Sequence, residues 1–116
     1  MEIRAESKNV RISPRKVRLV AELIKEKKVE LAMDLLKNLN KAAAEPLRLT
    51  LKQGIGNAVH NFKLSKESLV VKSVEVGEGV IMKRWRPVSR GQAHSIKKRT
   101  SQIKLVLSGE ENGSKS

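Results

Sequence analysis

Residues 79–109 read GVIMKRWRPVSRGQAHSIKKRTSQIKLVLSG, thirty-one positions with eight lysines and arginines and no aspartate or glutamate. Cations at this density repel one another, and a self-contained fold intersperses them with carboxylates. A stretch without carboxylates fits an external polyanion instead. Just before it lies LVVKSVEV (69–76), and its own last part is IKLVL (103–107). Both runs have strand character, and the second sends Ile103, Leu105 and Leu107 to one face. Two strands bracketing a basic middle read as a long β-hairpin whose far end carries the charge.

Working outward, the sequence before the hairpin has helical periodicity. Leu47, Leu51, Ile55, Ala58 and Phe62 step by four, four, three and four, with Pro46 expected in the first helical turn. Gly54 and Gly56 weaken this helix by roughly 1 kcal/mol each relative to alanine. They either admit a close backbone neighbour or are simply tolerated. A second helix is predicted over 29–39, with Leu31, Leu35, Leu36 and Leu39 as its apolar side, closed by a turn at Asn40. Ser13-Pro14 opens a first helix, serine as N-cap and proline at the first position. Its apolar face is Val17, Val20, Ala21 and Ile24, and the run 25–28 is expected to end it with cations at the negative end of the dipole. Residues 1–10 alternate Ile3, Ala5, Ser7 against Arg4, Glu6, Lys8, the period of a strand with one buried face.

The expected class is therefore α+β: three helices packed on a small antiparallel three-stranded sheet, with a long protruding β-hairpin. One domain spans 1–107, its globular part formed by 1–78 and 101–107 and its arm by 79–100. The tail 108–116, SGEENGSKS, has little to bury and is expected to be disordered.

Composition narrows the partner. The chain has 116 residues, 25 Lys and Arg against 12 Asp and Glu, and a formal charge of +13. Such a charge favours nucleic acid or an anionic membrane surface. No apolar run reaches the roughly 18 residues of a spanning helix, and no signal-peptide pattern is present. Cysteine is absent, which removes disulfides and thiolate metal sites and is compatible with a reducing cytosol. Phe62 and Trp85 are the only aromatics, too few for a sheet that stacks single-stranded bases. No helix-turn-helix, zinc finger or basic zipper is present to read DNA bases. Structured RNA, held through phosphate, ribose and shape, fits best.

Catalysis finds no support. His60 and His94 lack a serine, cysteine or carboxylate arrangement of triad or metal type, and there is no phosphate-cradling glycine loop. His60 reads as a capping or packing residue. Two basic clusters remain. Arg11, Arg15, Lys16 and Arg18 gather at the start of the first helix, where cations oppose the dipole unless a phosphate lies nearby. The alternative is a solvated charged face. The arm supplies Lys83, Arg84, Arg86, Arg90, Lys97, Lys98 and Arg99, with Trp85 as a lone aromatic able to stack on a base or enter a groove. Pro87 and Gly91 are points about which the arm can bend.

Three stretches, RISPRKVRLVAELIK (11–25), GNAVHN (56–61) and GVIMKRWRPVSRGQAHSIKKRTSQIKLVL (79–107), together resemble the bacterial form of the large-subunit ribosomal protein twenty-two family. The likeness runs in order over nearly all of 1–107. It implies a structural protein without enzymatic activity or cofactor, located in the cytoplasm as part of the ribosome. Its implied partners are large-subunit ribosomal RNA, neighbouring large-subunit proteins and the nascent peptide, with no membrane and no homo-oligomer. The family binds this RNA, supports early subunit assembly, and lines the nascent-peptide exit tunnel with its hairpin. By position, Arg11, Ser13, Arg15, Lys16 and Arg18 would belong to the globular RNA-binding surface. Met82, Lys83, Arg84, Pro87, Arg90 and Gly91 would form the hairpin end near the tunnel constriction. Lys97, Lys98, Arg99 and Thr100 would grip RNA along the returning strand. The chain departs from the family at Gln92, where arginine is usual, at Gln102, where histidine is common, and at Gly54 and Gly56, where alanine-rich sequence is usual. Trp85 is bulkier than the aliphatic residue often found there. The runner-up reading is a free RNA-binding regulator or RNA chaperone using the same basic surface.

Overall fold

A computed structural model of the chain describes residues 1–79, 82–87, 93–98 and 100–109, the backbone alone being described in 82–87 and 93–98. In chain order the elements are β1 (Glu2–Val10), α1 (Pro14–Ala21), α2 (Val29–Asn38) and α3 (Ala44–Gly56). A π-turn (Asn57–Asn61) and a 3₁₀ turn (Lys66–Ser68) lead to β2 (Val70–Glu78), β3 (Met82–Pro87), β4 (Ala93–Lys98) and β5 (Ser101–Ser108). A three-stranded antiparallel sheet has the order β1-β5-β2, and β3 pairs with β4 in a separate ribbon. The class is α+β, as the periodicities predict.

β5 is central because one face is apolar throughout. Ile103, Leu105 and Leu107 are fully buried, each burial contributing about 1.5–3 kcal/mol. β1 buries Ile3 and Ala5 beside it, then slips register between Ser7 and Val10, where Asn9 takes φ 60°. β2 buries Val71 and Val74, three residues apart rather than two. The register shift between Val71 and Ser73 explains the spacing, because Lys72 is the extra residue of a bulge. The sheet continues past the expected strand end: β5 includes Ser108, Gly109 is buried, and the Gly109 N–H donates to the Met1 carbonyl at 3.1 Å.

α1 is shorter than predicted. Ser13 stands at the N-cap, but only its carbonyl bonds the helix, accepting from the Val17 N–H at 3.2 Å. After Ala21 the chain tightens: the N–H groups of Leu23 and Ile24 donate to the carbonyls of Val20 and Ala21 at 3.0 and 3.1 Å. Glu26 then takes φ 62°. The run 25–28 therefore does not cap a helix but lies along the outer edge of β2. Glu26 N–H donates to the Val71 carbonyl at 2.7 Å, and Val71 N–H returns to Lys27 at 2.8 Å. These bonds cover part of an edge that would otherwise offer itself to another strand.

α2 is rotated from its predicted face: Leu36 and Leu39 pack on the core as expected, but Leu31 and Leu35 do not. Val29, Ala32 and Leu36 are buried, whereas Leu31 is 50% and Leu35 37% exposed. Both sets have helical spacing. The small Ala32 side chain, fully buried on the inward face, leaves room for a close neighbour, and the pairs of leucines misdirected the assignment.

α3 buries Leu47 and Leu51, and Pro46 lies in its first turn as expected. The π-turn that follows displaces later residues around the axis. Phe62 therefore leaves the apolar stripe and is 42% exposed, while Leu64, after Lys63 at φ 56°, fills the core. His60 is exposed on this turn rather than packed. The two glycines separate. A Cβ on Gly54 would stand 3.2 Å from Leu107 Cδ1 and 3.3 Å from Ala5 Cβ, whereas one on Gly56 would meet nothing within 4 Å. Gly56→Ala should therefore raise stability by about 0.5–1 kcal/mol in urea unfolding. Gly54→Ala should gain less or lose; equal gains would contradict the packing.

Three carboxylates are held below the ordinary range: Glu2 by its hydrogen bond and charge interaction with Lys72, Glu45 by its hydrogen bond with Arg48, and Glu67 by its own backbone N–H and Ser65. A lowered folded-state pKa means the stabilisation is present above the unfolded value and is lost as pH falls through the folded one. All three groups are exposed, so the effect is small and screened by salt. Melting temperature should be level from neutrality to about pH 5 and decline below it.

Candidate nucleic-acid interface

The first basic cluster sits where β1 hands over to α1. Pro14 and Val17 are buried and hold the helix start against the core, leaving Arg11, Arg15 and Lys16 exposed. The first turn of α1 contains no acidic residue. Among the described residues the ion pairs are Lys25–Glu22, Arg48–Glu45 and Lys72–Glu2, and none engages this cluster. Uncompensated cations at a helix N-terminus are unfavourable in the isolated chain and favourable beside an anion.

Arg18 is committed locally as well. Its Nε and Nη2 both donate to the Val76 carbonyl, at 3.1 and 2.8 Å, bracketing α1 to β2 near the base of the arm. Ser101 Oγ donates to the Ile12 carbonyl, and Val10 faces Ser101 in the sheet. Gly79 N–H donates to the Thr100 carbonyl at 2.9 Å. The loop carrying Arg11 and Ser13 therefore abuts the strands from which the arm departs. Thr100, expected to grip RNA, is instead 2% exposed and belongs to this root. Ser101 is fully buried beside it.

Arg18→Ala should lower stability by about 1 kcal/mol and speed amide exchange at the end of β2. Unchanged melting and exchange would show that the bracket contributes nothing.

Beyond the root, the backbone of β3 and β4 forms an antiparallel ladder in which Lys83 faces Lys97 and Met82 faces Lys98. Arg84 faces Ile96, Trp85 faces Ser95, Arg86 faces His94 and Pro87 faces Ala93. Like charges at facing positions disfavour a ladder, and the ribbon has no carboxylate to offset them. Arg90, Gly91, Gln92 and Arg99 lie outside the described residues. The chain measures 76 × 25 × 17 Å. Its radius of gyration of 17.8 Å exceeds the roughly 13 Å of a compact chain this long, as a ribbon standing off a body requires.

A further concavity escaped the sequence reading. Between β1 and the end of α3 lies a groove of about 460 Å³ lined by Arg4, Lys52, Gln53, Gly56, Asn57 and Asn61, together with Ala5. The only signal for it in the sequence is the pair Asn57 and Asn61, four residues apart within GNAVHN.

The comparisons with known proteins agree with this geometry. Residues 5–108 match the family model described as Ribosomal protein L22p/L17e. The chain is 47% identical over 111 residues to the large ribosomal subunit protein uL22 of Mycoplasma capricolum subsp. capricolum, covering 96% of this chain and 100% of that protein. Its identity to the protein of the same name from Oceanobacillus iheyensis is 42% over 113 residues, covering 97% of this chain and 100% of the relative. For Macrococcus caseolyticus the identity is 43% over 111 residues, covering 96% and 90%. With the family model spanning nearly the whole chain and bacterial relatives matched end to end, the chain belongs to the Ribosomal protein L22p/L17e family and is a structural, non-enzymatic protein of the large subunit of the cytoplasmic ribosome.

Proposed function

We propose that the chain binds large-subunit ribosomal RNA through a basic surface continuous from its body into its arm, supports subunit assembly, and lines the nascent-peptide exit tunnel with the arm. The observation that carries this reading is the meeting of Arg11, Arg15 and Lys16, all exposed and without ion-pair partners, with the root of the β3–β4 ribbon. RNA phosphates would supply the counter-charge that both parts lack. On the body, Arg11, Ser13, Arg15, Lys16 and Arg18 form the contact surface. Lys83, Arg84, Trp85, Arg86, Lys97, Lys98 and Arg99 form it along the arm. Met82, Arg84, Pro87, Arg90, Gly91 and Gln92 form the tip beside the nascent peptide. Neighbouring large-subunit proteins complete its surroundings.

Co-sedimentation tests the reading. The protein should stay with large subunits through a high-salt wash, because buried phosphate contacts are shielded from exchange with bulk ions. Recovery only in the ribosome-free supernatant would favour a free RNA-binding regulator or chaperone. Deleting 82–90 should leave the body folded and RNA-binding, since among the described side chains a contiguous core is built from residues 3–74 and 103–107. A deletion variant without helical and strand circular dichroism would sink the independent-arm picture.

A further inference from the structure

The groove between β1 and the end of α3 is not explained by the two basic clusters, and its chemistry is distinct. Its lining has two cations, Arg4 and Lys52, three primary amides and no carboxylate. The other grooves of the body differ. The one between α2 and α3 includes Glu30 and Asp34, the one across β1 and β5 includes Glu6 and Glu75, and the one beyond α2 includes Glu45. Two of those have the same excess of two cations, so the lack of a carboxylate in the lining, rather than net charge, suits this groove to phosphate.

The amides add a second property. Asn61 Nδ2 donates to Asn57 Oδ1 at 2.6 Å, which leaves the Asn57 amide hydrogens and the Asn61 oxygen uncommitted. A donor and an acceptor side by side complement a hydroxyl, which both donates and accepts. The π-turn places the two asparagines on the groove, and π-turns recur at functional positions. Gly56, with nothing within 4 Å of where a Cβ would be, leaves the wall open to close approach. Phosphate beside hydroxyl is the repeating pattern of the RNA backbone, and the 2′-hydroxyl is what separates RNA from DNA.

We propose that this groove is a second RNA-binding site on the body, holding the sugar–phosphate backbone through Arg4 and Lys52 and recognising ribose 2′-hydroxyls through Asn57 and Asn61. It rests on the RNA-binding function proposed above but uses a surface away from the arm root.

Two experiments separate its failure from the failure of that function. The chain has no cysteine, so Asn57→Cys provides a single attachment point for an iron–EDTA chelate, with Leu35→Cys on the exposed side of α2 as the comparison. In large subunits containing either derivative, the chelate at position 57 should cut ribosomal RNA strongly and the one at position 35 weakly. Equal or absent cutting from position 57 in subunits that have incorporated the protein overturns the site while leaving the general function intact. The second experiment measures binding of the full chain to a large-subunit RNA transcript and to DNA of the same sequence. Asn57→Ala with Asn61→Ala should reduce the preference for RNA about tenfold, the scale of one or two lost hydrogen bonds. The dependence on salt should not change, because no charge is removed. An undiminished preference overturns the hydroxyl assignment, and a wild-type chain that binds neither nucleic acid overturns the function on which the site rests.

Discussion

Replacing Lys83, Arg84, Arg86, Lys97 and Lys98 together by glutamine should lower affinity for large-subunit ribosomal RNA about three-thousandfold at about 0.15 M monovalent salt. The expectation follows from counterion release. Each phosphate neutralised contributes roughly 0.7–0.9 to the slope of log affinity against log salt, which at this salt concentration is a factor of about five per contact. Five contacts compound to about three thousand. The same variant should show a slope shallower by about four units. Its folding should change little, because among the described side chains the core cluster is built from residues 3–74 and 103–107. Removing facing Lys83 and Lys97 even relieves a like-charge pair. A variant whose salt slope equals that of wild type would mean that the arm cations do not meet phosphates, whatever happened to affinity.

Leu36→Ala should destabilise the body by about 2–5 kcal/mol, whereas Leu31→Ala should change stability by less than about 0.5 kcal/mol. Leu36 is 3% exposed within the core cluster, and Leu31 is 50% exposed on the opposite side of α2. Removing a buried leucine loses its transfer free energy and leaves a cavity; removing an exposed one loses little of either. For a domain of this size the first change should lower the melting temperature by more than about 10 °C. Similar losses for the two variants would mean that Leu31 is packed as well and contradict the observed orientation of α2.

These tests bear on how far the sequence carries. The helix–strand order, the apolar face of IKLVL and the acid-free arm were legible, because each depends on a local period or on charge along one contiguous stretch. The face of α2 was legible only in part: Leu36 and Leu39 pack as predicted, but Leu31 and Leu35 have an equally helical spacing, and α3 and β2 decide against them. The shortened α1 was missed for a similar reason. Glu26 adopts a positive φ because its N–H meets Val71, a partner forty-five positions away. Gly54 and Gly56 look alike in sequence and differ only in whether Leu107 and Ala5 stand opposite. The groove at Asn57 and Asn61 combines side chains from β1 and α3, so no single segment announced it.

By itself the sequence determined the fold class, the hairpin, the polyanionic partner class and, through the resemblance of three ordered motifs, the family. These rest on composition, period and order, which are properties of a chain before it folds. Only the tertiary structure decided that Arg18 spends its guanidinium on Val76 and that Thr100 is buried at the arm root. It also brought the loop at Arg11 against the origin of the arm. Each of these depends on which distant groups come within a few ångströms, and hydrogen-bond and packing energies act only at that range.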